Sequence, residues 1–134
     1  MDILYNCGKL EVKTSTLPNG GFGVFATDDI KVGEILEECR YLAYSKAYSL
    51  FEDYRFWVNS KKENTAIVLG TGSIYNSSKE KQNAWWVGPS SPKIFKCGDI
   101  KITRKYLDSF TFFAIKDIKK GDEIFTYYGY KVKK

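Results

Sequence analysis

The chain has 134 residues with 43% hydrophobic and 16% aromatic side chains, enough for the core of one domain but not of two. Its net charge of +5 is mild and its lysines are spread along the chain, which weighs against a dedicated nucleic-acid binder. The absence of histidine excludes Ser–His and Cys–His catalysis, and three cysteines without a CxxC pair argue against a zinc site or a disulfide framework. Without a signal-peptide pattern or a stretch of transmembrane length, a soluble protein in a reducing intracellular compartment is expected, with no membrane partner.

In chain order, the sequence reads as short strands separated by turns rich in glycine, proline and aspartate. The predicted strands cover residues 10–13, 24–26, 35–39, 66–69, a hairpin over 94–102 about Gly98-Asp99, 110–115 and 124–128. Two polar turns, residues 28–34 and 117–123, share one pattern, and the glycines at 20, 21 and 23 are expected to allow positive φ. Residues 45–60 are ambiguous, because apolar side chains recur at helical spacing while their composition suits a strand. The prediction is a mainly β fold with little helix.

Three segments, in this order, resemble the signature stretches of SET domains. Residues 21–34 begin with Gly-Phe-Gly-Val-Phe-Ala, residues 72–84 contain Ile-Tyr-Asn-Ser-Ser followed by Gln-Asn, and residues 114–129 end in Tyr-Gly. Residues 52–56 are also similar to a stretch of very small viral SET proteins, which makes minimal viral or bacterial members the closest resemblance. One GxG alone would be a weak signal, whereas three ordered segments across nearly the whole chain are a strong one.

The resemblance implies one SET-like domain over residues 1–134, built from small curved β-sheets. Its C-terminal segment would thread beneath a preceding loop as a pseudoknot, an exception to the usual unthreaded connections. The resemblance also makes residues 54–58 a strand, leaves at most a short helix near residues 45–51, and marks residues 88–106 as an inserted hairpin relative to the smallest members.

The resemblance further implies an S-adenosylmethionine-dependent methyltransferase that acts on a lysine of a protein substrate and uses no metal. Tyr128 would be the catalytic tyrosine, and Glu123 would be a structural partner of the threaded segment. The cofactor would be bound by Gly21, Phe22, Gly23, Tyr54, Asn76 and Ser77. The substrate channel would be lined by Trp86, Thr126 and Tyr127. Phe22 could equally be a core residue.

Methyl transfer to lysine needs a neutral amine, held in line with the bond that breaks. Because a free lysine has a pKa of about 10.4, forming the neutral amine at pH 7 costs on the order of 4 to 5 kcal/mol. An apolar channel lowers that pKa by desolvation, and a neighbouring sulfonium lowers it further. A sequence rich in aromatic residues and free of histidine can supply such a channel without a dedicated base.

Two departures from the family pattern keep other functions open. The usual Asn-His-Ser is Asn76-Ser77-Ser78 here, and the usual Pro-Asn is Gln82-Asn83, preceded by one extra residue. A second hypothesis is therefore a SET-like interaction module that has lost catalysis. A third is a basic β-rich nucleic-acid binder that stacks bases on aromatic side chains. The expected partner is a protein with an exposed lysine, and a homodimer stays open.

Overall fold

Strands form every regular element in the computed structural model, which describes residues 3–45, 55–57, 64–71 and 74–127. The strands are β1 (Ile3–Asn6), β2 (Leu10–Thr14), β3 (Phe22–Ala26), β4 (Ile35–Cys39), β5 (Tyr41–Ser45), β6 (Arg55–Trp57), β7 (Asn64–Val68), β8 (Asn76–Ser77), β9 (Ala84–Val87), β10 (Ile94–Cys97), β11 (Ile100–Thr103), β12 (Phe110–Ala114) and β13 (Glu123–Thr126). The predicted mainly β fold is confirmed, and β6 agrees with the strand predicted over residues 54–58. The short helix predicted near residues 45–51 falls largely outside the described residues.

The strands form four small sheets. Their orders are β1-β4-β12-β9, β2-β3-β13-β8, β5-β7-β6 and β10-β11. The strand β12 lies in the middle of the first sheet and all five of its residues are buried, as expected for the most apolar run of the sequence. Phe110 and Phe112 join the main core with Leu36, Val24 and Ile124.

The two turns with a shared sequence pattern lie next to each other. Ile30 of the first and Ile118 of the second form an isolated antiparallel bridge, with N–H···O distances of 2.7 and 2.8 Å. Both isoleucines are only 1% exposed. The repeated pattern therefore places one buried isoleucine in each turn, and their pairing joins the chain before β4 to the chain before β13.

The strand β13 is held between two distant parts of the sequence. It pairs antiparallel with β3 and parallel with β8. The pseudoknot involves residues beyond Tyr127, which lie outside the described residues, so its threading stays a prediction. Within the described part of the chain, no helix is long and apolar enough to cross a membrane.

The predicted hairpin about Gly98-Asp99 is confirmed as β10 and β11, which pair antiparallel. The base of the hairpin is held by Arg104 and Glu38. Both side chains are fully buried, and Arg104 Nε lies 4.0 Å from Glu38 Oε1. Glu38 also accepts hydrogen bonds from the backbone N–H of Lys105 at 2.8 Å and from Thr111 Oγ1 at 2.9 Å. The 88–106 segment is thus anchored to β4 and β12 by a buried ion pair whose partners have hydrogen bonds.

Candidate functional site

The glycine-rich turn between β2 and β3 is shaped by two different requirements. Gly21 has a φ of 61°, which L side chains rarely adopt, as predicted. The prediction of positive φ is wrong for Gly20 and Gly23. Glycine is needed at these two positions because a Cβ would lie too close to neighbouring side chains. A Cβ on Gly23 would overlap Glu123 Oε2 and lie 2.9 Å from its Cδ. Gly23 therefore admits the carboxylate of Glu123 into the turn.

The carboxylate of Glu123 is the centre of a buried hydrogen-bond cluster. Its Oε1 accepts from the Thr16 backbone N–H at 2.8 Å and from Thr16 Oγ1 at 2.6 Å. Its Oε2 accepts from Ser15 Oγ at 2.7 Å and from Asn76 Nδ2 at 3.0 Å. Burial alone would raise the pKa of Glu123, but these hydrogen bonds together lower it below the ordinary value. Glu123 is thus an anion that ties the glycine-rich turn to β8, a more specific role than the structural one predicted.

Asn76 is fixed by the same cluster and presents one unused atom. Its Nδ2 donates to the Phe22 carbonyl and to Glu123 Oε2, both at 3.0 Å. The residue is only 1% exposed, and its Oδ1 has no hydrogen-bond partner among the described residues. A buried acceptor without a partner costs about 1–3 kcal/mol, so Asn76 Oδ1 is a prepared site for a donor.

Phe22, Gly23 and Asn76, which the resemblance assigns to the cofactor, lie next to one another in the structure. The Phe22 side chain is 65% exposed, which excludes the core alternative and leaves it available to a ligand. Ser77 lies beside Thr126 in the parallel pairing of β8 with β13. Tyr54 and Tyr128 lie outside the described residues, so their predicted roles are untested.

Asn83 holds the loop after β8 against β13, a role that sequence reasoning missed. Its Nδ2 donates to the Glu123 carbonyl at 3.0 Å, and its Oδ1 accepts from the Phe125 N–H at 2.8 Å. The Asn83 N–H donates to the Phe125 carbonyl at 3.1 Å. The side chain thus pairs with the β13 backbone as a neighbouring strand would, which gives the Gln82-Asn83 step a structural reason.

The predicted channel residues lie on neighbouring strands. Trp86 on β9 is partly buried, packs against the core, and has its ring 5.7 Å from that of Phe110. Thr126 on β13 is fully buried, and its Oγ1 has no hydrogen-bond partner within the described ranges. Tyr127 is partly exposed. The strands β9 and β13 contact each other. This region therefore combines apolar walls with one unpaired hydroxyl.

A second buried carboxylate, Glu37 on β4, supports β8 from the other side. Its Oε1 accepts from Thr71 Oγ1 and from the Tyr75 hydroxyl, the latter at 2.9 Å, while Oε2 has no partner among the described residues. Burial raises the pKa of Glu37 despite these hydrogen bonds. Tyr75 stacks on Phe112 with ring centroids 4.9 Å apart. Because Tyr75 precedes Asn76, this contact fixes the strand that carries the amide.

An open cleft of about 310 Å³ lies beside Glu123. It contains none of the predicted cofactor or channel residues. The cleft is lined by Thr16, Lys81, Asn83, Gly121, Asp122, Glu123 and Phe125. Glu123 and its hydrogen-bond partner Thr16 link the cleft to the Asn76 cluster. The candidate site therefore lies at Phe22, Asn76 and Ser77.

Comparisons with known proteins agree with this arrangement. The model of the SET domain matches residues 21–129, while the sequences of curated proteins give no match. A Plasmodium falciparum protein named as a candidate histone methyltransferase is similar in structure, with a TM-score of 0.65 and 28% sequence identity over 90% of this chain and 93% of that one.

Two structures of polycomb repressive complex 2 from Chaetomium thermophilum share the fold at lower identity. One of them is in an autoinhibited conformation bound to S-adenosylmethionine. Each has a TM-score of 0.64 and 23% identity, and the match covers 90% of this chain but 15% of theirs. At that identity the likeness concerns the fold alone. The family match spans most of the sequence and includes Gly21 and the strands β3, β8 and β13, and the chain therefore belongs to the SET domain family.

Proposed function

We propose that this protein transfers a methyl group from S-adenosylmethionine to a lysine side chain of another protein. The observation that carries the proposal is the buried amide of Asn76, pinned by Glu123 and the Phe22 carbonyl with its own Oδ1 unpaired. The family supports a methyltransferase. The complex of a similar fold with S-adenosylmethionine supports the choice of cofactor.

The residues present fit the methionine end of this cofactor. Its ammonium group is a donor, and Asn76 Oδ1 is a buried acceptor that lacks one. The exposed ring of Phe22 would cover the bound molecule, while Gly21 would let the backbone approach it. Ser77 would meet the adenine through its backbone groups. Tyr54 would contact the methionine end, as the resemblance implies.

When bound, S-adenosylmethionine supplies an electrophilic methyl group on a sulfonium sulfur. The chain must then bind the target lysine, remove water and keep its amine neutral. Thr126 and Trp86 would line a channel of low polarity, which lowers the pKa of an entering lysine because the charged form loses its hydration. Tyr127 would extend the wall. The Tyr128 hydroxyl would orient the amine toward the methyl group.

Calorimetric titration of the purified chain with S-adenosylmethionine tests the cofactor site. We expect binding at about one molecule per chain. Asn76→Ala should weaken the affinity at least tenfold, about 1.4 kcal/mol, because it removes the buried acceptor. Asn6→Ala is the matched control, since the Asn6 side chain only accepts from the Gly8 N–H in an exposed turn. Absence of binding at millimolar cofactor would overturn the proposal.

The alternative of a SET-like interaction module has one observation in its favour. Ser77 stands where the family motif has histidine. Cofactor binding without transfer of the methyl group to any protein of a cell lysate would favour this alternative.

A further inference from the structure

The hairpin of β10 and β11 has one covered face and one exposed face. Phe95 packs edge-to-face on Phe113 with ring centroids 5.5 Å apart, and its cross-strand partner Ile102 is fully buried. Successive side chains of a strand point to opposite faces. The outward face therefore carries the four exposed residues Ile94, Lys96, Lys101 and Thr103.

Two lysines oppose each other directly on this outward face. Lys96 and Lys101 are cross-strand partners, a position in which Cβ atoms lie about 4.5–5.5 Å apart and like charges are destabilising. Neither ammonium group lies within 4.0 Å of a carboxylate in the part of the chain that the structure describes. The two ammonium groups therefore repel each other, although the packing of the hairpin does not require a lysine at either position. An anion bound between the two lysines would relieve this repulsion.

The 88–106 segment also holds most of the chain's net charge. It contains five basic residues and one acidic residue, a net +4, against +5 for all 134 residues. Arg104 is buried against Glu38, so it does not contribute to the solvent side. The exposed charges of the segment are Lys93, Lys96, Lys101, Lys105 and Asp99. The lysines are spread along the sequence as a whole, and both this segment and residues 131–134, with three lysines, carry an excess of positive charge.

Hydrogen bonds of Arg104 hold the hairpin, and with it the charged face, against the rest of the protein. Arg104 Nε donates to Thr111 Oγ1 at 3.0 Å, and Nη2 donates to the Ser109 carbonyl at 2.8 Å. The Arg104 N–H donates to the Lys93 carbonyl at 2.8 Å, which closes the open end of the hairpin. A ribbon anchored in this way loses little conformational freedom when it binds a partner.

We propose that the outward face of this hairpin binds the phosphate backbone of double-stranded DNA without sequence preference. Lysine is a point charge suited to phosphate, and DNA carries one phosphate charge per about 1.7 Å of axis. A two-stranded β-ribbon also fits the DNA major groove, about 12 Å wide. A peptide that bound by adding a strand would pair with an edge of the ribbon, whereas these lysines project from its face.

The test is fluorescence anisotropy with a labelled 20-base-pair duplex of mixed sequence, read across 50 to 200 mM salt. Lys105 is not counted, because its Nζ lies over the Tyr5 ring, 5.0 Å from the centroid. If Lys93, Lys96 and Lys101 neutralise phosphates, the affinity should fall roughly 40-fold over that range, and for Lys96→Thr/Lys101→Thr only roughly threefold. The double variant removes the repulsion, so it should stay folded by circular dichroism. The measurement needs neither cofactor nor methyl transfer, so it is independent of the proposed function.

Lys119→Thr/Lys120→Thr is the matched control, because it removes the same charge from an exposed turn outside the hairpin. It should keep the steep salt dependence of the native chain. An equal loss in both double variants would show diffuse attraction to net charge and overturn the proposal. Displacement of the duplex by polyglutamate at equal charge would favour an acidic protein partner and overturn it as well.

Discussion

Two buried carboxylates hold β8 from opposite sides, and they differ in the balance between burial and hydrogen bonding. Glu123 holds Asn76 and receives four hydrogen bonds, two on each oxygen. Glu37 holds Tyr75, and its Oε1 accepts from the Tyr75 hydroxyl and from Thr71 Oγ1. The pKa of Glu123 is lowered, whereas burial raises that of Glu37. Glu37 lies deeper than Glu123, so its loss of hydration outweighs its hydrogen bonds, whereas at Glu123 the hydrogen bonds outweigh the burial.

The difference assigns different tasks to the two sides of β8. The Glu123 side is a fixed anion that orients the amide of the candidate cofactor site. The Glu37 side is a support that tolerates a neutral carboxyl, because Tyr75 and Thr71 need only one oxygen as acceptor. A neutral isostere should therefore be damaging at Glu123 and mild at Glu37.

The largest effect is expected from Glu123→Gln. The new NH₂ group must face two donors that previously met an oxygen, and each unpaired buried group costs about 1–3 kcal/mol. We expect a loss of about 2–4 kcal/mol in unfolding free energy and a cofactor affinity at least tenfold weaker. Urea unfolding and calorimetric titration measure the two quantities.

Glu11→Gln is the control for that substitution. Glu11 is exposed and lies 3.4 Å from Lys13, a surface pair whose loss should change stability by less than about 0.5 kcal/mol. Equal losses of unfolding free energy in the Glu11 and Glu123 variants would mean that the four hydrogen bonds of Glu123 stabilise the fold no more than a surface ion pair does.

Gly23→Ala should be next in size. Its Cβ would displace the carboxylate of Glu123 from the turn, which costs about 1–3 kcal/mol and releases Asn76. Gly8→Ala is a useful comparison, because Gly8 has a φ of 78° and open space around its Cα. Gly8→Ala strains the backbone but should leave cofactor affinity unchanged. If Gly23→Ala bound the cofactor with native affinity, the Glu123 cluster would have no role in cofactor binding.

Glu37→Gln should have a smaller effect that depends on pH. Because its folded pKa lies above the ordinary 4.5, the folded state binds more protons than the unfolded state between those two values. Native stability should therefore fall as pH rises through that window, and the Gln variant should lack this slope. Urea unfolding from pH 4 to 8 checks it, with an expected cost of the substitution below about 1 kcal/mol at low pH.

Glu123 has the opposite sign, and its effect is measured by extending the urea unfolding below pH 4. Its folded pKa is lowered, so its stabilisation is present above 4.5 and is lost as pH falls through the folded value. The contrast between the two carboxylates would be wrong if the unfolding free energy of the native chain and of Glu37→Gln changed equally with pH.

The strands could be predicted because their local signals agree with the fold. The strand over residues 35–39 and the hairpin about Gly98-Asp99 are confirmed, since β-branched runs and turn residues act over short distances. The strand β1 was missed, because Ile3–Asn6 has no turn signal before it. The resemblance brought Phe22 and Asn76 to one site, where the structure also joins them.

The buried charges could not be predicted, because their partners are remote in the sequence. Ser15 and Glu123 are 108 positions apart, and nothing local marks either as buried. Glu37 and Glu38 are consecutive on a strand with both faces covered, so no alternation of polar and apolar residues separates inside from outside.

The smallest effect is expected from Ser77→Ala. If Ser77 meets the adenine through backbone groups that β8 and β13 hold in register, its side chain contributes little to binding. We expect a change in cofactor affinity below about threefold, consistent with the modest net value of one hydrogen bond. A hundredfold loss in calorimetry would show that the hydroxyl itself contacts the cofactor.

The most direct measurement is transfer of a labelled methyl group from S-adenosylmethionine to proteins of a cell lysate, followed by mass spectrometry of the labelled sites. The native chain should label lysine side chains. Tyr128→Phe should cut the rate by orders of magnitude while cofactor affinity stays within a few-fold, because the hydroxyl acts on the reacting centre. Label on residues other than lysine, or an unchanged rate in the Tyr128 variant, would contradict the proposed lysine methyltransferase.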